Sequence, residues 1–156
     1  MLQHDPWKLI ASMQSVVISS VSADGAPHAS YAPFVESDHR FYVSLSMLST
    51  HTANLLHHPE IALLFIEDES KSANIFARKR VSFDAVATPV ERDSILFNGT
   101  MTLFEDRFGE MASIYKNMPD FQLFELMPLR GRAVFGFGQA YDFAEGRFGS
   151  IAVGGR

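Results

Sequence analysis

The fold class this sequence predicts is a small antiparallel β-barrel with peripheral helices, and three observations predict it. Segments alternating apolar and polar residues recur through the chain, with the period of two that sends successive side chains to opposite faces of a strand. Turn chemistry separates them, notably Ala23-Asp24-Gly25 and the polar run Glu36–His39. Helical spacing is confined to the N-terminus, a short piece before Pro59 and one long region late in the chain. About six strands in meander order with late helices make a barrel, and an open α+β sandwich is the alternative.

The elements follow in order. Asp5 and Pro6 supply an N-cap and a first helical residue, and Trp7, Ile10, Ala11 and Gln14 continue at helical spacing over 6–14. Val16–Val21, His28–Val35 and Phe41–Leu45 read as three strands of an antiparallel meander. Ser49-Thr50-His51-Thr52 offers caps to a short helix at Ala53–His57, which Pro59 ends. Glu60–Ile66 is an apolar strand leading into the acidic loop Glu67-Asp68-Glu69. Residues 76–88 form the next strand, stopping at Pro89. Residues 91–117 carry helical periodicity, broken at Asn98-Gly99, with Ile95, Leu96, Phe104, Phe108, Met111, Ala112 and Tyr115 as the buried face. Gly131–Phe143 closes the barrel, with Gly136 and Gly138 marking a bend. No repeat or linker interrupts residues 1–156, so a single domain is expected.

Composition narrows the function. Of 156 residues, 47% are hydrophobic and 20% charged, an ordinary globular balance. A net charge of −5 argues against nucleic-acid binding, which needs a basic surface to displace counterions. The absence of cysteine removes disulfides, thiolate nucleophiles and cysteine-ligated metal centres. No apolar stretch approaches the length of a membrane span, and the start Met1–Trp7 lacks the pattern of a signal peptide. A cytoplasmic protein is expected. The 14 phenylalanines are many for this length: either all face one core, or some line a ligand pocket or a subunit interface.

Several residues stand out chemically. In the 76–88 strand, Arg78, Arg80, Ser82 and Asp84 share one face, while Lys79, Val81, Phe83, Ala85 and Ala87 share the other. Two guanidinium groups at the strand's start suit an anion, although pairing with Glu67, Asp68 or Glu69 would explain them equally well. Asp84 lies about 13 Å beyond Arg80 along the strand and does not neutralise it. Ser49–Asn54 sits where a strand hands over to a helix, where free N–H groups and hydroxyls either attract an anion or simply cap. His57-His58 are adjacent and diverge on a helix, and His4, His28 and His39 have no partners in the spacing. Asp120 ends a helix before an aromatic segment, or holds a histidine or water by hydrogen bond. No phosphate-binding glycine loop, nucleophile elbow or His-Glu-x-x-His motif is present.

Taken together, Ser30–Phe34, Ser49–Leu55, Phe76–Ser94, Asp120–Leu126 and Gly136–Tyr141 resemble the pyridoxamine-phosphate-oxidase-like FMN-binding split-barrel superfamily, and within it the haem-utilisation proteins of the HugZ and HutZ type. The likeness spans nearly the whole chain, and residues 76–87 are its most specific part. It implies a six-stranded antiparallel split barrel acting as a homodimer, with ligand sites between protomers. It further implies haem binding that supports oxidative haem degradation and iron release. FMN-dependent oxidoreduction and non-catalytic haem carriage are the alternatives. The cofactor-binding set it suggests is Arg78 and Arg80, toward haem propionates, with Ser49, His51, Thr52 and Asn54. Asp120 would tune an iron-ligating histidine of the other subunit. Two departures are visible. Ser150–Arg156 offers no histidine where the family places its iron ligand, leaving the metal ligand unidentified. Thr50 and His51 follow Ser49 where the oxidase branch has an Arg-Lys pair for the FMN phosphate, which should weaken phosphate affinity.

Overall fold

The structure is a computed structural model and describes residues 2–151. Helix α1 spans Pro6–Ala11 and is capped as expected, with the Asp5 carboxylate accepting from the Trp7 N–H at 3.0 Å. It ends at Ala11 rather than running to residue 14. Strands β1 (Ser15–Val21), β2 (Pro27–Pro33), β3 (Val35–Ser37) and β4 (Arg40–Ser46) precede helix α2 (Thr50–His57) and β5 (Glu60–Ile66). Two 3-10 turns, Glu69–Lys71 and Ile75–Ala77, lead into β6 (Arg80–Val90). Helices α3 (Ile95–Phe108) and α4 (Glu110–Lys116) follow, then β7 (Phe121–Gly136), β8 (Gln139–Ala144) and β9 (Arg147–Ser150).

The described strands form one antiparallel sheet of nine, ordered β2-β1-β5-β6-β7-β4-β3, with β8 on β7 and β9 on β8. The mainly β, antiparallel class is as expected, but the third step of the meander is not. Strand β4 pairs with β7, Phe41 facing Leu126, and not with β2. Strands β2 and β3 lie at opposite ends of the path yet are joined through the single residue Phe34. The sheet therefore curls until its ends meet there, leaving an unpaired seam, which is the split of a split barrel.

Inside the curl sits an aromatic core. Phe34, Phe41, Phe65, Phe83 and Phe124 are fully buried, and Phe65 packs edge-on to Phe34 at 5.0 Å and tilted to Phe41 at 4.7 Å. Burying each ring contributes on the order of 1.5–3 kcal/mol. A second cluster, containing Tyr42, Val90, Phe97, Met101, Phe104 and Leu123, fastens α3 outside the barrel.

Strand β6 shows the expected alternation, with Val81, Phe83, Ala85 and Ala87 buried and Ser82 and Asp84 exposed. It begins at Arg80, however, and continues through Pro89 to Val90. Its partner β7 accommodates Pro128 at a register shift: Asp84 faces Arg130 and Ala85 faces Pro128, so Leu129 bulges out. Such a bulge bends the strand and helps close a barrel.

The expected helical face needs correction. Ile95 is 94% exposed and Leu96, Met111 and Tyr115 are also exposed, while Phe97, Thr100, Met101 and Phe104 are buried. The break falls at Gly109, not Asn98-Gly99. Gly109 has φ +73°, a left-handed value that favours glycine, whereas Gly99 stays within α3.

Candidate functional site

The split opens into an apolar cleft of about 460 Å³. One wall is sheet: Tyr31, Ala32 and Pro33 of β2 with Ser44, Leu45 and Ser46 of β4. The other is helical, built on Met101, Phe104 and Phe108 of α3 and Met111, Ala112 and Tyr115 of α4. Ser49 and His51, at the start of α2, and Phe121, at the start of β7, complete the lining. Residues that the periodicity assigned to a core thus wall a cleft, because helical spacing marks an apolar face and not what covers it.

At one side, His51 Nδ1 lies 2.8 Å from the Ser30 Oγ. That contact holds the ring and leaves Nε2 without a hydrogen-bond partner among the described residues. Burial, helped by the nearby His28, pulls the imidazole below its usual pKa of 6.5, so the neutral ring prevails at neutral pH. Ser49 is the N-cap of α2, but its hydroxyl makes no capping bond. It remains available to a ligand beside the helix N-terminus.

Thr52 and Asn54 are placed differently from their neighbours. Thr52 is completely buried and its hydroxyl donates to the Ser46 carbonyl at 2.5 Å. Asn54 Nδ2 donates to the buried Ser20 Oγ at 3.0 Å. Neither lines the cleft. Both brace the strand–helix junction that presents Ser49 and His51.

Arg78 and Arg80 do not line this cleft within the protomer either. Arg78 donates through Nε (3.1 Å) and Nη2 (2.5 Å) to the Glu67 carbonyl and lies 3.8 Å from the Glu69 carboxylate. This is the local pairing that charge logic offered as one of two readings. Arg80 Nη1 donates to the Arg78 carbonyl at 3.0 Å. Asp84 pairs with Arg130 at 3.0 Å, across β6 and β7, and not with Arg80. Asp120 is exposed in the turn before β7. Its carbonyl accepts from the Met47 N–H at 2.7 Å, beside the loop that leads to Ser49. Its carboxylate makes no hydrogen bond among the described residues. The C-terminal Gly-rich stretch discussed above lies, past Ile151, outside the described residues.

Two arginines that sequence reasoning passed over shape the site. Arg92 donates to three carbonyls, those of Lys116 (2.9 Å), Met118 (2.7 Å) and Phe121 (3.1 Å), and its guanidinium stands 5.1 Å from the Phe97 ring centre. It ties the end of α4 to the start of β7 and so fixes one corner of the cleft. Arg107 donates to the carbonyls of Phe34 (3.1 Å) and Met13, tying α3 to the seam. No spacing rule would have found them, since carbonyl partners leave no mark in sequence.

The cleft is lined by apolar side chains, with hydroxyls and one imidazole as its polar side-chain groups. Among the described residues, no Lys or Arg lines it. Its chemistry suits a ligand with broad apolar faces. The anionic edge of such a ligand would need cations brought from elsewhere. No group of three or more His, Cys, Asp or Glu suited to a metal ion occurs among the described residues.

The family model for pyridoxamine 5'-phosphate oxidase matches residues 8–135, most of the chain. The chain belongs to this family. Among its relatives is the heme oxygenase HutZ of Vibrio cholerae serotype O1 (strain ATCC 39315 / El Tor Inaba N16961), 42% identical over 129 residues, covering 83% of this chain and 73% of the relative. A crystal structure of HutZ from Vibrio cholerae, described there as a heme storage protein, superposes with a TM-score of 0.76 at 38% identity, covering 78% of this chain and 86% of that one. ChuZ from Campylobacter jejuni gives a TM-score of 0.85 at 35% identity over 92% of this chain, which spans only 59% of that larger protein. A heme-binding protein of Mycobacterium smegmatis, at 20% identity and TM-score 0.79, shares the fold.

Proposed function

We propose that this protein binds haem in the cleft at the split and serves haem utilisation, supporting oxidative degradation of haem and release of its iron. The observation that carries the reading is the cleft itself: an apolar slot walled by Phe104, Phe108, Met111 and Tyr115, with His51 at one side, in a chain 42% identical to a heme oxygenase. When bound, haem supplies iron-centred redox chemistry, while the protein binds it, orients it and limits water access. The phenylalanines and methionines pack the macrocycle's faces. The His51 ring, held by Ser30, offers Nε2 as its remaining polar contact.

The anionic edge calls for the second protomer. In this reading a homodimer apposes the Arg78–Arg80 corner of one chain to the cleft of its partner, supplying the cation that the cleft lacks. Asp120, its carboxylate unengaged among the described residues, then acts on the partner's side of the site. Exposed Tyr31, 67% accessible, and Phe76, 87% accessible, fit surfaces that dimerisation would cover. The reading places the protein in the cytoplasm, in keeping with a chain without cysteine. A non-catalytic haem carrier uses the same contacts, and the relative HutZ is described both as an oxygenase and as a storage protein.

FMN is the second reading, favoured by the uncapped Ser49 hydroxyl and the α2 N-terminus beside the cleft. Thr50 and His51 weigh against it, since neither offers a cation at neutral pH where the oxidase branch has an Arg-Lys pair beside the equivalent of Ser49.

Absorbance titration with haem tests the proposal. A saturable Soret shift is expected, and Met111→Glu, at an exposed lining position, should weaken binding by roughly tenfold or more without changing the melting temperature. Haem partitioning to the protein as it does to albumin, indifferent to Met111→Glu, would overturn it. FMN that raises the melting temperature where haem does not would select the second reading. Haem consumption under reductant and oxygen separates breakdown from carriage.

A further inference from the structure

A second cleft, of about 520 Å³, lies on the other side of α3, between that helix, α1 and the seam. Helix α3 divides the two: Met101 and Phe104 face the first cleft, and Leu103 and Arg107 face the second. The apolar floor of the second is Ile10 and Phe34, both buried, flanked by Trp7 and Leu103. Two cations reach it, Arg107 and Lys8.

Arg107 is the telling residue. Its hydrogen-bond acceptors are neutral, the carbonyls of Phe34 and Met13. Its guanidinium also lies 4.8 Å from the ring centre of Phe34 and 5.5 Å from that of Phe108. Neither Arg107 nor Lys8 has a carboxylate within ion-pair distance among the described residues. Burial accordingly lowers the Arg107 pKa, the signature of a charge taken partly out of water without a counter-ion. The two carbonyls occupy Nη1 and Nη2, and a guanidinium has five N–H donors, so donors remain. Glu36 is the acidic residue in the lining. Its Oε1 accepts from the His39 backbone N–H at 3.0 Å, directed toward the β3–β4 turn.

Paired cations above an apolar floor complement one class of molecule. We propose that the cleft between α1 and α3 is a second ligand site that takes an amphipathic carboxylate, its head group on Arg107 and Lys8 and its apolar body against Trp7, Phe34 and Leu103. This site is independent of haem binding in the first cleft and stands if that reading fails.

Trp7, the single tryptophan of the chain, lines the cleft and provides the readout. Decanoate, titrated below its micelle concentration into the full chain, should change Trp7 fluorescence saturably. Decanol, with the same body and no charge, should bind more weakly by roughly tenfold or more. Lys8→Glu, at an exposed position, should cost decanoate a similar factor while leaving the melting temperature in place. Because Arg107→Ala removes ties to Phe34 and Met13 and risks misfolding, Leu103→Asp serves as the second variant and should also weaken decanoate. Equal affinity for decanol and decanoate, or indifference to Lys8→Glu, would overturn the proposal, as would a non-saturable response. Calorimetry on chain first saturated with haem tests that independence: unchanged decanoate affinity is expected, and loss of decanoate binding would overturn a site separate from that of haem.

Discussion

Replacing Arg92 by alanine isolates the contribution of one side chain to the cleft's geometry. Arg92 bonds the carbonyls of Lys116, Met118 and Phe121 and stacks near Phe97, so its loss releases the α4–β7 turn from the strand that precedes α3. Hydrogen bonds from a charged donor contribute about 1.5–3 kcal/mol each when fully buried. Arg92 is only partly buried, and water can take over some of the released carbonyls, so about 1 kcal/mol per bond is the better figure. The sum is about 3 kcal/mol, which for a chain of this size lowers the melting temperature by about 6–12 °C. Arg92→Lys keeps the charge, but a single ammonium does not span three carbonyls and should recover only about a third of the loss. Thermal unfolding followed by circular dichroism measures both variants. An alanine variant melting within about 2 °C of the parent, or a lysine variant equal to the parent, would refute the reasoning.

Four further outcomes rest on contacts elsewhere in the fold. A Cβ on Gly131 would stand 2.2 Å from the Ser82 carbonyl oxygen and 2.7 Å from Phe83 Cδ1, so Gly131→Ala should cost about 1–3 kcal/mol or more, measured by denaturant unfolding. Gly99→Ala, in open space within α3, should instead stabilise by about 0.5–1 kcal/mol. Burial, with the Glu125 carboxylate accepting from its hydroxyl, pushes the Tyr42 phenol from 10 up to about 12. A raised phenol pKa favours folding in the neutral form, so this stabilisation is complete below pH 10 and is lost as pH rises through 12. An alkaline stability titration should show the loss, and Tyr42→Phe should flatten it. Asn54→Ala should cost about 1–3 kcal/mol by stranding the Ser20 hydroxyl, measured by denaturant unfolding.

Legibility in the sequence varied with the kind of information each element carries. The alternation of β6 was plain because one face is buried and the other is not, and a period of two records that directly. Strand β7 was only half seen: the pattern started the closing strand at Gly131, whereas β7 runs Phe121–Gly136, taking Pro128 at a bulge and Gly131 close against β6. The partner of β4 was invisible: sequence order suggests β2, whereas the pairing with β7 depends on the curl of the whole sheet. At the site, the segment around Ser49 and His51 was legible as a strand–helix junction. That Thr52 and Asn54 turn inward while Ser49 and His51 line the cleft was not, because all four are polar residues suited to a helix start. The arginines that clamp carbonyls left no pattern at all.

The two walls of the first cleft have unequal origins, and that has a structural consequence. Met101, Phe104 and Ala112 belong to the second core cluster, outside the barrel, and α4 hangs from α3 at Gly109. Substitutions that widen, narrow or polarise this wall leave the aromatic interior of Phe34, Phe41, Phe65 and Phe83 untouched. The shape of this wall is therefore set by the second cluster, separately from the packing of the barrel interior. A protein sharing only 20% identity still superposes with a TM-score of 0.79, so the fold itself outlasts extensive change in sequence.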